Sequence, residues 1–404
     1  MKKVLFITYG GGHVNIALPI IKALNNEDEI SPIPIALTTA TVKFNKEKIP
    51  YYNFFDFLKG DDFDRVKTLG RELANKHHNE LSGVSLQDSI AYLGPSMHDL
   101  ETKYGYEKAM EMFQTIGRKA FFPTSVFSKV FDVVKPDLVV TSSSQRAEGA
   151  ANEVALERGI PTLRFVDLFG HIGNVPNSDY IAVMSEFVKK NLLERDIPSD
   201  KIHIVGQPAF DSLFGSSTIS KNDILSKENL LNKEKIFLWA SQRESEINVL
   251  SEEIIGTFAN KKELGLIIKL HPSEDGLVQE EVLKRVGNPS NIIIIKDKYD
   301  TQDLLRLADV IITKYSTCGL EGILLDKPLI TVNLSGEPDK LPFASSGAAL
   351  GIYHRGDLTK AVTKVLTSPT TNAKMKESRK KFLINKDSTS SSVRLIKKIV
   401  ANHH

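Results

Sequence analysis

Short apolar runs separated by helix-length stretches recur along this chain, and that alternation limits its fold more than any other feature. Val4–Tyr9 reads as a strand, Gly10–Gly12 as a turn, about Val14–Leu24 as a helix and Ile33–Leu37 as the next strand. Runs with no polar alternation suit strands buried on both faces, hence a parallel sheet with helices on each side. From about Phe57 to Phe131 charged and apolar residues instead alternate at helical spacing, which predicts a helical insertion. Strands resume at Asp137–Thr141, Thr162–Val166, Tyr180–Val183 and Ile202–Val205, with a helix over about Arg146–Arg158. Gly206-Gln207-Pro208 then breaks the chain, and the polar stretch Asp211–Lys233 reads as a linker. The second half repeats the logic with strands at Ile236–Trp239, Leu266–Leu270, Ile292–Ile295, Val310–Ile312 and Leu329–Val332. Helices are expected near Glu246–Phe258, Thr301–Leu307, Asp357–Leu366, Thr371–Phe382 and Ser391–Val400. The expectation is an α/β protein of two Rossmann-like, doubly wound domains facing across a cleft. Its boundaries fall at 1–208, with the insertion at about 57–131, and at 209–386, followed by a terminal helix within 387–404. Ligands of such folds bind at the carboxyl ends of the strands.

Bulk properties remove several function classes. At 404 residues the chain exceeds one ordinary core. A net charge of +2 is no footprint of nucleic-acid binding. The lone Cys318 leaves no internal disulfide framework and suits a reducing, cytoplasmic compartment. No run approaches the ~18 apolar residues of a membrane span, so the expectation is a cytoplasmic protein, with peripheral attachment to the inner membrane face as an option. No Cys/His cluster has zinc spacing, and Asp61-Asp62 lies within the insertion, so no metal is expected to be required.

The richest single stretch is Ala308 to Pro328, ADVIITKYSTCGLEGILLDKP. An apolar strand feeds a helix through Tyr315, Ser316, Thr317 and Gly319. The open N–H groups and positive end of such a helix suit a phosphate, and hydroxyls add donors. Glu321 lies one turn in, placed to accept from ribose hydroxyls. His271-Pro272 follows strand LIIKL, and proline at a first helical position would aim a second helix start at the cleft. Arg243, after the strand ending in Trp239, is a second phosphate candidate, and Glu337, after strand LITVN, a contact for a donor sugar.

In the first half, Gly11 and Gly12 let backbone approach a ligand, with His13 next to them. The spacing is not that of a dinucleotide fingerprint. Ser143, Ser144 and Arg146 follow strand DLVVT and open a helix carrying Glu148. Asp167 ends the next strand, with His171 shortly after, placing an acid where it can work as a base. Asp167, His13 and Glu148 are the catalytic candidates.

These stations together resemble the GT-B glycosyltransferase superfamily and its relatives, over nearly the whole chain. GGGH with Ala17 and Pro19 looks like the glycine loop of UDP-sugar transferases and of the lipid II N-acetylglucosaminyltransferase. VGQPAFD looks like the strand that closes the N-terminal domain in this group. KLHPSE with KYSTCGLEGILLDKP is similar to the phosphate stations of bacterial sialyltransferases, Kdo transferases and CDP-glycerol phosphotransferases. The resemblance implies a metal-independent transferase that moves a sugar from a UDP- or CMP-linked donor to a hydroxyl acceptor in cell-surface glycan synthesis. It needs no cofactor beyond the nucleotide-sugar substrate. The donor would sit on the second domain and the glycan, lipid-linked or small-molecule acceptor on the first. The terminal helix would cross back onto the first domain. Alternatives of similar fold are a CDP-glycerol phosphotransferase, a UDP-N-acetylglucosamine 2-epimerase and a non-catalytic binding protein. The epimerase family carries Gly-Asp where this chain has Ser142-Ser143, and Glu-Ala-Gly where it has Asp167-Leu168-Phe169. Its His-Arg pair corresponds here to His271-Pro272.

Overall fold

A computed structural model describes residues 1–60, 62–143, 145–170, 177–217 and 219–403. The chain forms two compact units, residues 1–211 with 385–404 and residues 212–384.

Unit 1 opens with β1 (Lys2–Thr8), α1 (Val14–Leu24), β2 (Ile30–Ala36) and α2 (Ala40–Lys46). The insertion follows as α3 (Phe63–His77), α4 (Leu86–Tyr104), α5 (Tyr106–Ile116) and α6 (Thr124–Val134). Then come β3 (Leu138–Thr141), α7 (Ala147–Glu157), β4 (Thr162–Phe165), β5 (Tyr180–Val183), α8 (Glu186–Leu193) and β6 (Ile202–Ile204). Every strand pairs in parallel, in the order β2-β1-β3-β4-β5-β6. The order reverses between β1 and β3, so the strand ends carrying Tyr9 and Ser142 flank the switch point where such sheets take ligands.

Unit 2 contains α9 (Lys221–Lys227), β7 (Lys235–Ala240), α10 (Ile247–Ala259), β8 (Leu264–Lys269), α11 (Leu277–Arg285) and β9 (Ile292–Ile295). It continues with α12 (Thr301–Leu307), β10 (Val310–Thr313), α13 (Thr317–Leu324), β11 (Leu329–Val332), β12 (Leu350–Ile352), α14 (Asp357–Thr367) and α15 (Pro369–Arg379). Its parallel order is β12-β11-β10-β7-β8-β9, with the reversal between β7 and β10. The chain ends in α16 (Ser388–Asn402), which packs on α1 in unit 1. The Asp211 carboxylate accepts from Ser388 and Thr389 N–H and so caps α16 at its first turn.

Buried strand residues explain the sheets: all four positions of β3, β10 and β11 are inaccessible, as are all six of β8. In unit 1 one core layer runs from Leu5 and Ile7 through Phe54 to the aromatics of the insertion, Tyr92, Phe121 and Phe127. The other joins Val4 and Phe6 to α1 and to Ile396, Ile399 and Val400 of α16. Burying side chains of this kind contributes about 1.5–3 kcal/mol each.

Two local expectations are corrected. Residues 211–233 are not an open linker: α9 buries Ile224 and Leu225, and Leu230 is fully buried. These apolar residues are too sparse to show a period among the polar ones. Pro272 does not begin a helix. His271–Glu274 close a turn, and α11 starts only at Leu277, after Gly276 at φ +86°.

Candidate functional site

In unit 2 the loop after β10 is held by hydrogen bonds to its neighbours. Thr313 Oγ1, at the end of β10, accepts from Ser316 N–H at 3.3 Å and donates to the Ala240 carbonyl of β7. Gln242 Oε1 accepts from Tyr315 N–H at 3.1 Å. Ser316 is the N-cap of α13, its hydroxyl oxygen accepting from Cys318 N–H at 3.2 Å. Thr317 stands exposed at the first helical position. Gly319 has a different reason to be glycine than ligand approach. It is buried, and a Cβ there would lie 2.9 Å from the Phe343 ring, so its smallness seats α13 on the core.

Burial, with Asp300 adding repulsion and Arg306 opposing it, pushes the Glu321 carboxyl up to about 7. Burial, Glu321 next after it, likewise holds the Cys318 thiol at about 12, so it stays protonated and unreactive.

His271 follows β8 and is exposed. Its Nδ1 accepts from Ser273 N–H at 3.2 Å, which assigns the ring proton to Nε2 and makes that atom a donor. Glu274 fixes the turn below. It is buried, and it accepts from His271 N–H at 2.8 Å, Ser241 Oγ at 2.8 Å and Gln279 Nε2 at 3.1 Å. Arg243 is exposed after β7, and Glu337 is exposed on a loop whose backbone is tied to Asn333 and Ser335.

The sequence reading missed Lys314. Its side chain is 11% exposed and pairs with Glu244 at 3.2 Å and with Glu246. Nothing in the one-dimensional pattern joins Glu244 to Lys314, because the pairing depends on β7 and β10 being neighbours.

In unit 1, Gly11 has φ +62°, which only glycine adopts without strain, and both Gly11 and Gly12 face open space. His13 comes next, half-buried, with Nδ1 enclosed and lacking a partner. Glu148 corrects the expectation of a substrate-facing acid. It is fully buried and accepts from Ser142 N–H and Oγ–H at 2.5 Å each and from Tyr9 N–H at 3.1 Å. It therefore clamps the ends of β1 and β3 across the switch point. Burial raises its carboxyl, and the nearby His13 pulls the other way.

Arg146 opens α7 and lies on Tyr9, its guanidinium 5.1 Å from the ring centre and Nη1 donating to the phenol at 2.8 Å. The Tyr9 hydroxyl also accepts from Tyr92 of α4 at 3.2 Å, so the insertion reaches this edge of the sheet. The sequence reading had Tyr9 only as the end of a strand and did not single out Tyr92. Asp167 is half-buried after β4, its N–H donating to Ser143 Oγ at 2.9 Å. Ser144 and His171 lie outside the described residues. Among the described residues no three His, Cys, Asp or Glu side chains converge as a metal site, and no helix is long and apolar enough to cross a membrane.

Residues 169–336 match the family described as CDP-Glycerol:Poly(glycerophosphate) glycerophosphotransferase. A teichoic acid glycerol-phosphate primase from Bacillus spizizenii is 34% identical over 161 residues, 38% of this chain and 39% of that protein. The chain thus aligns with about two fifths of that relative's length. Among solved structures, S. aureus MnaA with UDP superposes at a TM-score of 0.63 and 15% identity, over 99% of this chain and 97% of that one. A UDP-GlcNAc 2-epimerase from Neisseria meningitidis bound to UDP-GlcNAc gives 0.61 at 16%, over 99% and 100%. A glycosyltransferase from Rickettsia africae gives 0.58 at 15%, over 100% and 99%. The two six-stranded parallel sheets and the structural matches show a fold of the GT-B type, and the likeness to the glycerophosphotransferases is carried by residues 169–336.

Proposed function

We propose that this chain is a transferase of cell-wall polymer synthesis that takes a polyol phosphate from a CDP-activated donor and passes it to a hydroxyl acceptor. The observation that carries the reading is where the family match falls. Residues 169–336 include the ordered loop of Ser316 and Thr317, the ribose candidate Glu321 and the donor face of His271. Among the expected chemistries this favours the CDP-glycerol alternative over a UDP- or CMP-linked sugar. Unit 2 holds the donor: Thr317, Ser316 and His271 Nε2 take the phosphates, and Glu321 takes the ribose. Unit 1 holds the acceptor, with Asp167 as the first candidate base and His13 as the second. The acceptor oxygen attacks the outer phosphorus, the bond to the bridging oxygen breaks, and CMP departs with the electron pair. Fixed donors that meet the departing charge lower the barrier, since they need no reorganisation as it develops.

Titrating CDP, CMP and UDP into the full chain by calorimetry tests this. Tight CDP binding with none for UDP is expected. Binding of UDP alone, together with epimer formed from UDP-N-acetylglucosamine without an acceptor, would replace the transferase reading by the epimerase.

A further inference from the structure

Where β1 runs into α1 in unit 1, the positions of the polar hydrogens follow from the neighbours of each group. His13 stands at the N-cap of α1, half-buried. Its Nδ1 is enclosed and has no hydrogen-bond partner, whereas Nε2 is neither enclosed nor bonded to a described residue. A proton on Nδ1 would be a buried donor left unpaired, which disfavours that tautomer by about five- to hundredfold. Glu148 is near enough to act on His13 electrostatically, but its oxygens are spent on Tyr9 N–H and on the N–H and hydroxyl of Ser142. The neutral ring therefore carries its proton on Nε2. Its open nitrogen is a donor, and a general base needs an open lone pair.

Tyr9 points the same way. Tyr92 is buried, and its hydroxyl has the Tyr9 oxygen as its one hydrogen-bond partner among the described residues, so it donates there. Arg146 Nη1 can only donate, and it gives the same oxygen a second bond. Both lone pairs of the Tyr9 hydroxyl are thus taken, and its own hydrogen has no acceptor among the described residues. The Arg146 guanidinium, 5.1 Å from the centre of the Tyr9 ring, adds positive charge. None of the three side chains has a free acceptor atom to offer, and one class of partner suits that set, an anionic group such as a phosphoryl or carboxylate. We infer that this corner of unit 1 binds an anionic group of the ligand, and that His13 serves there as an N–H donor and not as the base. This role rests on unit 1 holding the acceptor, and it leaves Asp167 as the candidate base.

The test is two-bond nitrogen–proton NMR of the imidazole rings in the ¹⁵N-labelled full chain, with the His13 signal identified by its loss in His13→Gln or His13→Asn. The wild-type ring is expected as the Nε2–H tautomer. At fixed pH and ionic strength its signal should move saturably with inorganic phosphate or with acetate, the tighter of the two naming the class of anion, and should not move with glycerol. Arg146→Gln should weaken that response about tenfold and leave the tautomer unchanged. An Nδ1–H tautomer, which opens a lone pair at Nε2, overturns the donor role and returns His13 as a base. A signal that ignores both anions, or follows glycerol equally, overturns the anionic subsite. CDP takes no part in these readouts, so their failure is separate from failure of the donor reading of unit 2.

Discussion

Single side chains in unit 2 carry a pH signature. Burial, with Asp300 adding to it, lifts Glu321 to about 7, so its charge changes near neutrality. The carboxylate accepts from ribose hydroxyls more strongly than the neutral acid does. Affinity for CDP should therefore rise with pH between pH 6 and pH 8, by at most about tenfold. Glu321→Gln should make that profile flat. The unliganded fold shows the opposite trend. A carboxyl whose folded pKa lies above its unfolded one takes up a proton on folding, so its contribution is greatest at low pH and falls as pH rises toward 7. Ser316→Ala removes the cap of α13 and should cost unit 2 about 1 kcal/mol in urea unfolding, besides weakening CDP binding. Asp167→Asn should abolish transfer with CDP affinity intact, and unchanged turnover would remove Asp167 as the base. Ser316 and Asp167 stood out because each follows a strand end, where turn residues contrast with apolar runs, and Glu321 because it lies in the helix that follows one. Glu148 was legible as a position but not as a role. Its complete burial and its hydrogen bonds to Tyr9 and Ser142 arise from two strands coming side by side that are far apart in sequence, Val4 pairing with Leu138.

At the scale of elements, the insertion is held by a close helix crossing. A Cβ on Gly94 of α4 would lie 2.2 Å from the Val66 carbonyl of α3, and Gly70 of α3 meets the same constraint against Ile90. Backbone gives way little, so Gly94→Ala should destabilise the insertion by about 1–3 kcal/mol. Hydrogen exchange should show faster opening confined to residues 63–134, with the sheet of unit 1 protected. An unchanged exchange pattern would mean the helices separate without cost. The insertion was visible as helical from its period. What it touches was not, since the Tyr92–Tyr9–Arg146 chain links residues from three separate elements. Short apolar pieces misled in the other direction. β12, with three residues, and α9, with seven, carry too few positions for a period to show.

At the scale of the molecule, α16 completes unit 1 although it lies at the far end of the sequence. Ile396, Ile399 and Val400 fill a core layer with Val4 and Phe6, and Asp211 caps the helix. Deleting residues 385–404 should remove several kcal/mol from unit 1 on burial alone. The expected result is a lowered melting transition with CDP binding on unit 2 retained. Loss of CDP binding together with unit 1 would show the two units to be energetically inseparable.

By itself, the sequence determined the α/β class, the two sheets, the hydroxyl-rich turn between β10 and α13 and the order of the strands and helices along the chain. Those are local properties, written in runs of buried residues and in turn chemistry at strand ends. The tertiary structure decided which polar side chains are consumed as supports, as Glu148 and Glu274 are, and which stand exposed, as His271 does. That distinction depends on which strands are neighbours and on how much water each carboxyl group retains, and neither is a property of any one segment.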